Sequence, residues 1–291
     1  MSYTASPEHS ARTIGKDDAD VGTVAIFVYH VDPRVVADQR FDKPPLFVNY
    51  ARFLALNPSD YSHFRGHLPV VFMALAIFDL DNTLLNGDSD HAWGEFLVTK
   101  GVVDDDVYKA ANDHFYQQYQ SGGLDIDEYL QFALEPLTRF SMPELAELHQ
   151  EFMRTVIEPM FLEQAHQLLQ KHRDAGDFLL IITATNAFVT HPIGRALGVD
   201  AILATDPEIV AGQYTGRYVG FPCFQYGKVE RLLAWLTETG HSLEGSYFYS
   251  DSHNDLPLLE MVDFPYAVDA DDTLKEHAEA EGWPIISLRD A

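Results

Sequence analysis

Two carboxylates, Asp79 and Asp81, stand i, i+2 at the end of the apolar run Ala74-Leu75-Ala76-Ile77-Phe78, with the hydroxyl of Thr83 two residues further on. On an extended segment, side chains two apart point the same way, so both acids would face one site at the carboxyl end of a strand. Like charges that close are costly unless a cation or a proton separates them. A solvated Asp-rich turn would explain a lone pair of acids, but it gains nothing from the apolar strand before it. The pattern therefore points to cation binding or proton transfer.

Two further strand ends match. The run Phe178-Leu179-Leu180-Ile181-Ile182 leads into Thr183, then Ala184-Thr185-Asn186. The run Ser246-Tyr247-Phe248-Tyr249 leads into Ser250-Asp251-Ser252-His253-Asn254-Asp255. Between them, Gly227-Lys228 opens a helix able to deliver an ammonium group. Ligands of open α/β sheets bind beyond the carboxyl ends of the strands, so these acids, the lysine and the hydroxyl are expected around one crevice. Gly227-Lys228 is not a phosphate-binding P-loop, because Val229 follows where Ser or Thr is needed. The 13 histidines contain no HExxH pair. His253 is placed at the site rim, and His91 on the surface or in the core.

The elements that must position these groups follow from periodicity. From Asp90 to about Met160 the pattern is helical: Trp93, Phe96 and Leu97, then Tyr108, Phe115 and Tyr119, then Tyr129, Phe132 and Ala133 recur at helical spacing. Ser141 with Glu144 three residues on reads as a capping box. The aromatic stripes are expected to form that segment's own core. The remainder alternates strand and helix, with a short strand at 201–204, a separate hairpin over 208–218 and a helix over 256–261. The expected fold is α/β, a Rossmann-like parallel sheet with helices on both faces plus an inserted all-helical cap. Residues 73–89 and 160–291 form its core and 90–159 the cap. Residues 1–72, polar at first and then broken by prolines, are expected to be a dispensable, partly disordered extension with one strand at 21–29, Met73 standing where a compact domain would begin.

A formal charge of −26 argues against nucleic-acid and anionic membrane partners. Cys223 is the only cysteine, so no intrachain disulfide forms, and no run of about 20 apolar residues spans a bilayer. The expectation is a cytoplasmic protein.

Asp79-Leu80-Asp81-Asn82-Thr83, Thr183, Lys228 and Asp251-Ser252-His253-Asn254-Asp255, in that order, resemble the four motifs of the haloacid dehalogenase-like hydrolase superfamily, in the helical-cap branch near phosphoserine phosphatase. The resemblance runs from about Ala74 to Leu288. It implies a Mg²⁺-dependent phosphomonoesterase in which Asp79 attacks phosphorus to give an aspartyl-phosphate. Asp81 would protonate the leaving alkoxide and then take a proton from water. Mg²⁺ would be held by Asp79, the backbone carbonyl of Asp81 and Asp251. Thr183 and Lys228 would hold the phosphoryl oxygens, Asp255 would support Lys228 or metal-bound water, and Asn254 would contact phosphate.

The substrate expectation rests on departures from that family. Ala184 and Thr185 replace a glycine pair after the motif hydroxyl, narrowing the backbone approach there. Asp88 stands where the family has a glutamate for the substrate amine. An acidic, aromatic cap suits a cationic ester without a carboxylate, so histidinol phosphate ranks first and phosphoserine second. A phosphotransferase such as a hexose-phosphate mutase, and a non-catalytic phosphoester-binding protein, are the rivals from other classes.

Overall fold

The computed structural model describes residues 73–289. The proposed extension and its strand at 21–29 lie outside the described residues. Strand β1 (Leu75–Phe78) has all four residues fully buried. It lies between β2 (Phe178–Asn186) and β5 (Tyr247–Ser250), parallel to both. Ala76 and Phe78 enter one apolar cluster and Leu75 and Ile77 another, which is why the strand reads as unbroken apolar sequence rather than an alternation.

The described sheet has seven strands in the order β4-β3-β2-β1-β5-β6-β7. Beyond those named, β3 spans Ala201–Val210, β4 Gln213–Val219, β6 Phe264–Val268 and β7 Ile285–Ile286. Every pairing is parallel except β3 with β4. The expected short strand at 201–204 and hairpin at 208–218 are one feature: β3 runs unbroken through Thr205–Pro207 and turns at Ala211-Gly212 into β4.

Helices fill the segment between β1 and β2: α1 (Ser89–Thr99), α2 (Asp105–Gln120), α3 (Ile126–Leu134) and α4 (Met142–Phe152). Asp88, Asp104 and Asp125 cap the first three through their carboxylates, and Ser141 with Glu144 closes the expected capping box on the fourth. After α4 the chain passes through one π turn and re-enters the core as α5 (Glu163–Ala175).

The remaining helices are α6 (Ala187–Leu197), α7 (Tyr226–Thr239), a four-residue α8 (Leu256–Leu259) and α9 (Asp272–Glu281). Helix α8 is shorter than its expected span to 261. Two of the contacts between the inserted helices and the rest of the chain flank the site. The Tyr218 hydroxyl on β4 donates to Asp127 at 2.5 Å, and the Asn254 amide donates to the Tyr119 carbonyl at 3.1 Å. Among the described residues no helix is long and apolar enough to cross a membrane.

Candidate active site

The backbone after β1 keeps one more sheet bond, Asp79 N–H to the Tyr249 carbonyl at 2.9 Å, and then leaves the sheet. Asn82 takes a positive φ of 58° and donates to the Gly87 carbonyl, closing a small loop. Gly87 itself has φ 142°, a backbone conformation in which a side chain would be strained, and a Cβ there would also have to push aside the Met160 methyl group 2.7 Å away. Asp79 and Asp81 are thereby held at the strand's end, 3% and 8% exposed.

Asp79 accepts from Lys228 Nζ at 2.7 Å, and the same ammonium reaches Asp255 at 2.7 to 2.8 Å. Burial opposes the charge on Lys228, but Asp255 and Asp79 hold its pKa above the ordinary lysine value. Lys228 arrives here because α7 starts tightly: a Cβ on Gly227 would stand 2.0 Å from the Pro222 carbonyl oxygen. Asp255 also accepts from Ser250 Oγ at 2.7 Å. Thr83 Oγ1 donates to Asp251 Oδ1 at 3.0 Å and receives the Asp251 N–H at the same distance.

Two carboxylates, Asp79 and Asp255, therefore share one ammonium, and a third, Asp251, is repelled by both. Burial pushes Asp79 up to about 7, with Lys228 pulling it down and Asp255 and Asp81 adding to the rise. Burial, then Asp79 and Asp255, push Asp251 well above the carboxylate range. An excess of buried negative charge on hard oxygen donors fits a divalent cation of the magnesium kind. A different group, His91, Glu95 and Asp113, brings its ligand atoms within 4.8 Å of one another, but the Lys109 ammonium already lies against Glu95 and Asp113.

Asp81 has its own supports. Oδ1 accepts from the Ser89 N–H at 2.6 Å and Oδ2 from the Thr185 hydroxyl at 2.7 Å. Burial and Asp88 raise it to about 6, against the pull of these hydrogen bonds. The carboxyl is thus poised to change protonation near neutrality. Thr185, expected only to narrow the backbone approach, instead orients Asp81. The Thr183 hydroxyl accepts from the Thr185 N–H at 3.1 Å, and Thr183 and Ala184 both line the cavity above Asp79 and Asp81.

That cavity continues under the inserted helices, walled by Asp88, Asp90, Phe115, Tyr116, Tyr119 and Tyr129 among others. The aromatic stripes were expected to be a helical core. Phe115, Tyr119 and Tyr129 instead face the cleft, because the side of the insertion turned toward the sheet closes the site. Asp88 lines the cavity while its Oδ1 caps α1 through the N–H groups of Asp90 and His91.

Asn254, expected to contact phosphate, is tied to its protein neighbours. Its amide joins Gln225 Nε2 at 3.0 Å to the Tyr119 carbonyl, and it is not among the cavity walls. His253, expected at the rim, is half-buried and bonded to Asp271 at 2.8 Å. His91 reaches the cavity wall, bonded to Asp113. Asp90, buried beside Tyr129 and Asn186, is a site residue that periodicity could not single out.

The parallel sheet with acids at its strand ends and helices inserted after the first strand defines a class. Residues 76–260 match the family model for haloacid dehalogenase-like hydrolases, and the chain belongs to that family. It is similar to a histidinol-phosphatase of Neisseria meningitidis, 48% identical over 219 residues, covering 74% of this chain and 99% of that protein. It is also similar to a phosphoserine phosphatase of Mycobacterium tuberculosis, 31% identical over 227 residues, 76% of this chain and 73% of the relative. A crystal structure of a Bordetella pertussis protein with unknown function superposes with a TM-score of 0.71 at 46% identity, over 75% of this chain and 99% of that one. A substrate-bound phosphoserine phosphatase shares the fold, with a TM-score of 0.57 at 19% identity, over 75% of this chain and 94% of that one.

Proposed function

We propose that the protein is a Mg²⁺-dependent phosphomonoesterase whose substrate is histidinol phosphate. One observation carries the choice of substrate: the cavity beside Asp79 is walled by acids and aromatic rings, with no lysine or arginine among the described residues that line it. Histidinol phosphate offers that wall an amine and an imidazole and no carboxylate. Phosphoserine needs a cation for its carboxylate, and the cations of the inserted helices are engaged elsewhere or exposed. Arg139 pairs with Glu135, Lys100 with Glu151 and Lys109 with Glu95, while Arg154 is exposed. The kinship with the Neisseria histidinol-phosphatase supports the same reading.

Asp79 is the nucleophile. Its carboxylate oxygen forms a bond to phosphorus as the ester P–O bond breaks, giving an aspartyl-phosphate. Asp81 gives its proton to the departing alkoxide. It then takes a proton from the water that attacks phosphorus, and the bond to Asp79 breaks to release phosphate. Lys228 and Thr183 hold the phosphoryl oxygens as charge redistributes, and Asp255 keeps Lys228 charged and aimed. Asp79, Asp251 and the Asp81 carbonyl would hold Mg²⁺, which supplies positive charge that lets an anionic carboxylate approach an anionic ester.

A phosphotransferase would send the phosphoryl group to an acceptor hydroxyl, and a pure binder has no use for a nucleophile carrying its own proton donor. The deciding experiment is a Mg²⁺-dependent phosphate-release assay with histidinol phosphate and phosphoserine side by side, repeated with Asp79→Asn. The expected outcome is preference for histidinol phosphate and a loss of at least about 10³-fold in kcat for the variant. Unchanged turnover by Asp79→Asn would refute the mechanism.

A further inference from the structure

Asp90 is 8% exposed, the second residue of α1, and one of the cavity walls. Its partners are neutral: the Tyr129 hydroxyl donates to it, and Asn186 Nδ2 lies 3.4 Å from its Oδ1. Among the described residues the charges that act with it are two further acids, Asp81 and Asp88. A buried carboxylate with only neutral donors is an expensive arrangement that a bound cation would relieve.

The surroundings say what shape that cation has. Phe115, Tyr116 and Tyr129 present rings, and Leu124 and Ile126 close the same wall. An alkylammonium carries three donors and keeps water where it can. An imidazole needs apolar faces and one acceptor in the plane of its N–H. Asp88 offers the opposite setting. It is half-buried and also borders the outward-facing depression beside Glu95 and Lys100, where an ammonium would keep part of its hydration.

We propose that Asp90, oriented by Tyr129, is the specificity-determining carboxylate that accepts the imidazole N–H of the substrate, while Asp88 takes the ammonium. This rests on the histidinol phosphate reading above. The test compares kcat/KM for histidinol phosphate with that for alaninol phosphate, which keeps the amine and the ester and lacks the ring.

Wild type is expected to favour histidinol phosphate, and Asp90→Asn to shrink that ratio about 10- to 100-fold, the scale of one charge-assisted hydrogen bond. Asp88→Asn is expected to weaken both substrates and leave the ratio nearly alone. Tyr129→Phe, which keeps the ring, should shrink the ratio in the same direction by a smaller factor, and decides the matter should Asp90→Asn fail to fold. A second readout is the imidazole pKa of bound histidinol by proton NMR, raised on wild type and not on Asp90→Asn.

An unchanged ratio in Asp90→Asn and Tyr129→Phe, with wild type still preferring histidinol phosphate, overturns the Asp90 assignment alone. A wild type that prefers phosphoserine overturns the substrate reading and this inference with it.

Discussion

Thr185 is where a single hydroxyl decides the behaviour of a proton donor. It holds Asp81 Oδ2 at 2.7 Å and favours the ionised carboxylate against burial. Thr185→Val keeps the shape and removes that bond, so Asp81 should move upward from about 6. The acid limb of the kcat–pH profile, below which Asp81 cannot take a proton from water, should shift to higher pH, with kcat at neutrality down about tenfold. Asp90 predicts a pH effect on stability. Its folded value of about 7 lies above the ordinary 3.8, because of burial, so the folded chain holds a proton that the unfolded chain releases between those values. That contribution is complete below 3.8 and is lost as pH rises through 7. Without ligand, Asp90→Asn should therefore raise Tm relative to wild type by a few degrees more at pH 8 than at pH 5, in paired calorimetric scans. Asp79, Asp81, Asp251 and Lys228 were legible before any coordinates because each sits at a strand end or helix start, which local pattern reveals. Thr185 and Asp90 were not, since their tasks are set by partners 104 and 96 positions away. The contact of Asn254 with the Tyr119 carbonyl, 135 positions apart, is hidden in the same way.

Helix α7 shows how an element rather than a residue delivers chemistry. Its first turn packs so closely on the Pro222 carbonyl that Gly227→Ala must push the helix start away. Lys228 would then move off Asp79 and Asp255. The expected cost is about 2 kcal/mol of stability, together with a drop in kcat larger than any change in KM, read by denaturant titration and steady-state kinetics on one preparation. The parallel strands and their connecting helices could be read in order because both periods were clear. The long β3 could not, since Thr205-Asp206-Pro207 looks like a break by composition. It continues as a strand because β4 pairs along it, at Asp206 with Val219 and Pro207 with Tyr218. The aromatic periodicity of α2 and α3 was legible as a face. What that face looks at was not, because periodicity gives a direction about the helix axis and no partner.

Across the whole molecule, the mutual repulsion of Asp79, Asp251 and Asp255, only two of which pair with Lys228, is a source of instability until a cation is present. Mg²⁺ at about a hundred times its Kd should raise Tm by several degrees, and chelation should reverse the rise. Asp251→Asn should stabilise the metal-free protein and abolish most of that Mg²⁺ response in the same thermal scans. The layout of the site has one more consequence. The acids and the lysine that act on phosphorus come from strand ends and a helix start spread from 79 to 255, whereas the aromatic wall over the rest of the substrate comes from one uninterrupted stretch, Phe115 to Tyr129. Together with Asp88 and Asp90 it falls within 88–129, about one seventh of the sequence, so substrate range can drift in a lineage by change within that stretch, or be exchanged by grafting the inserted helices, while the reacting centre is inherited intact.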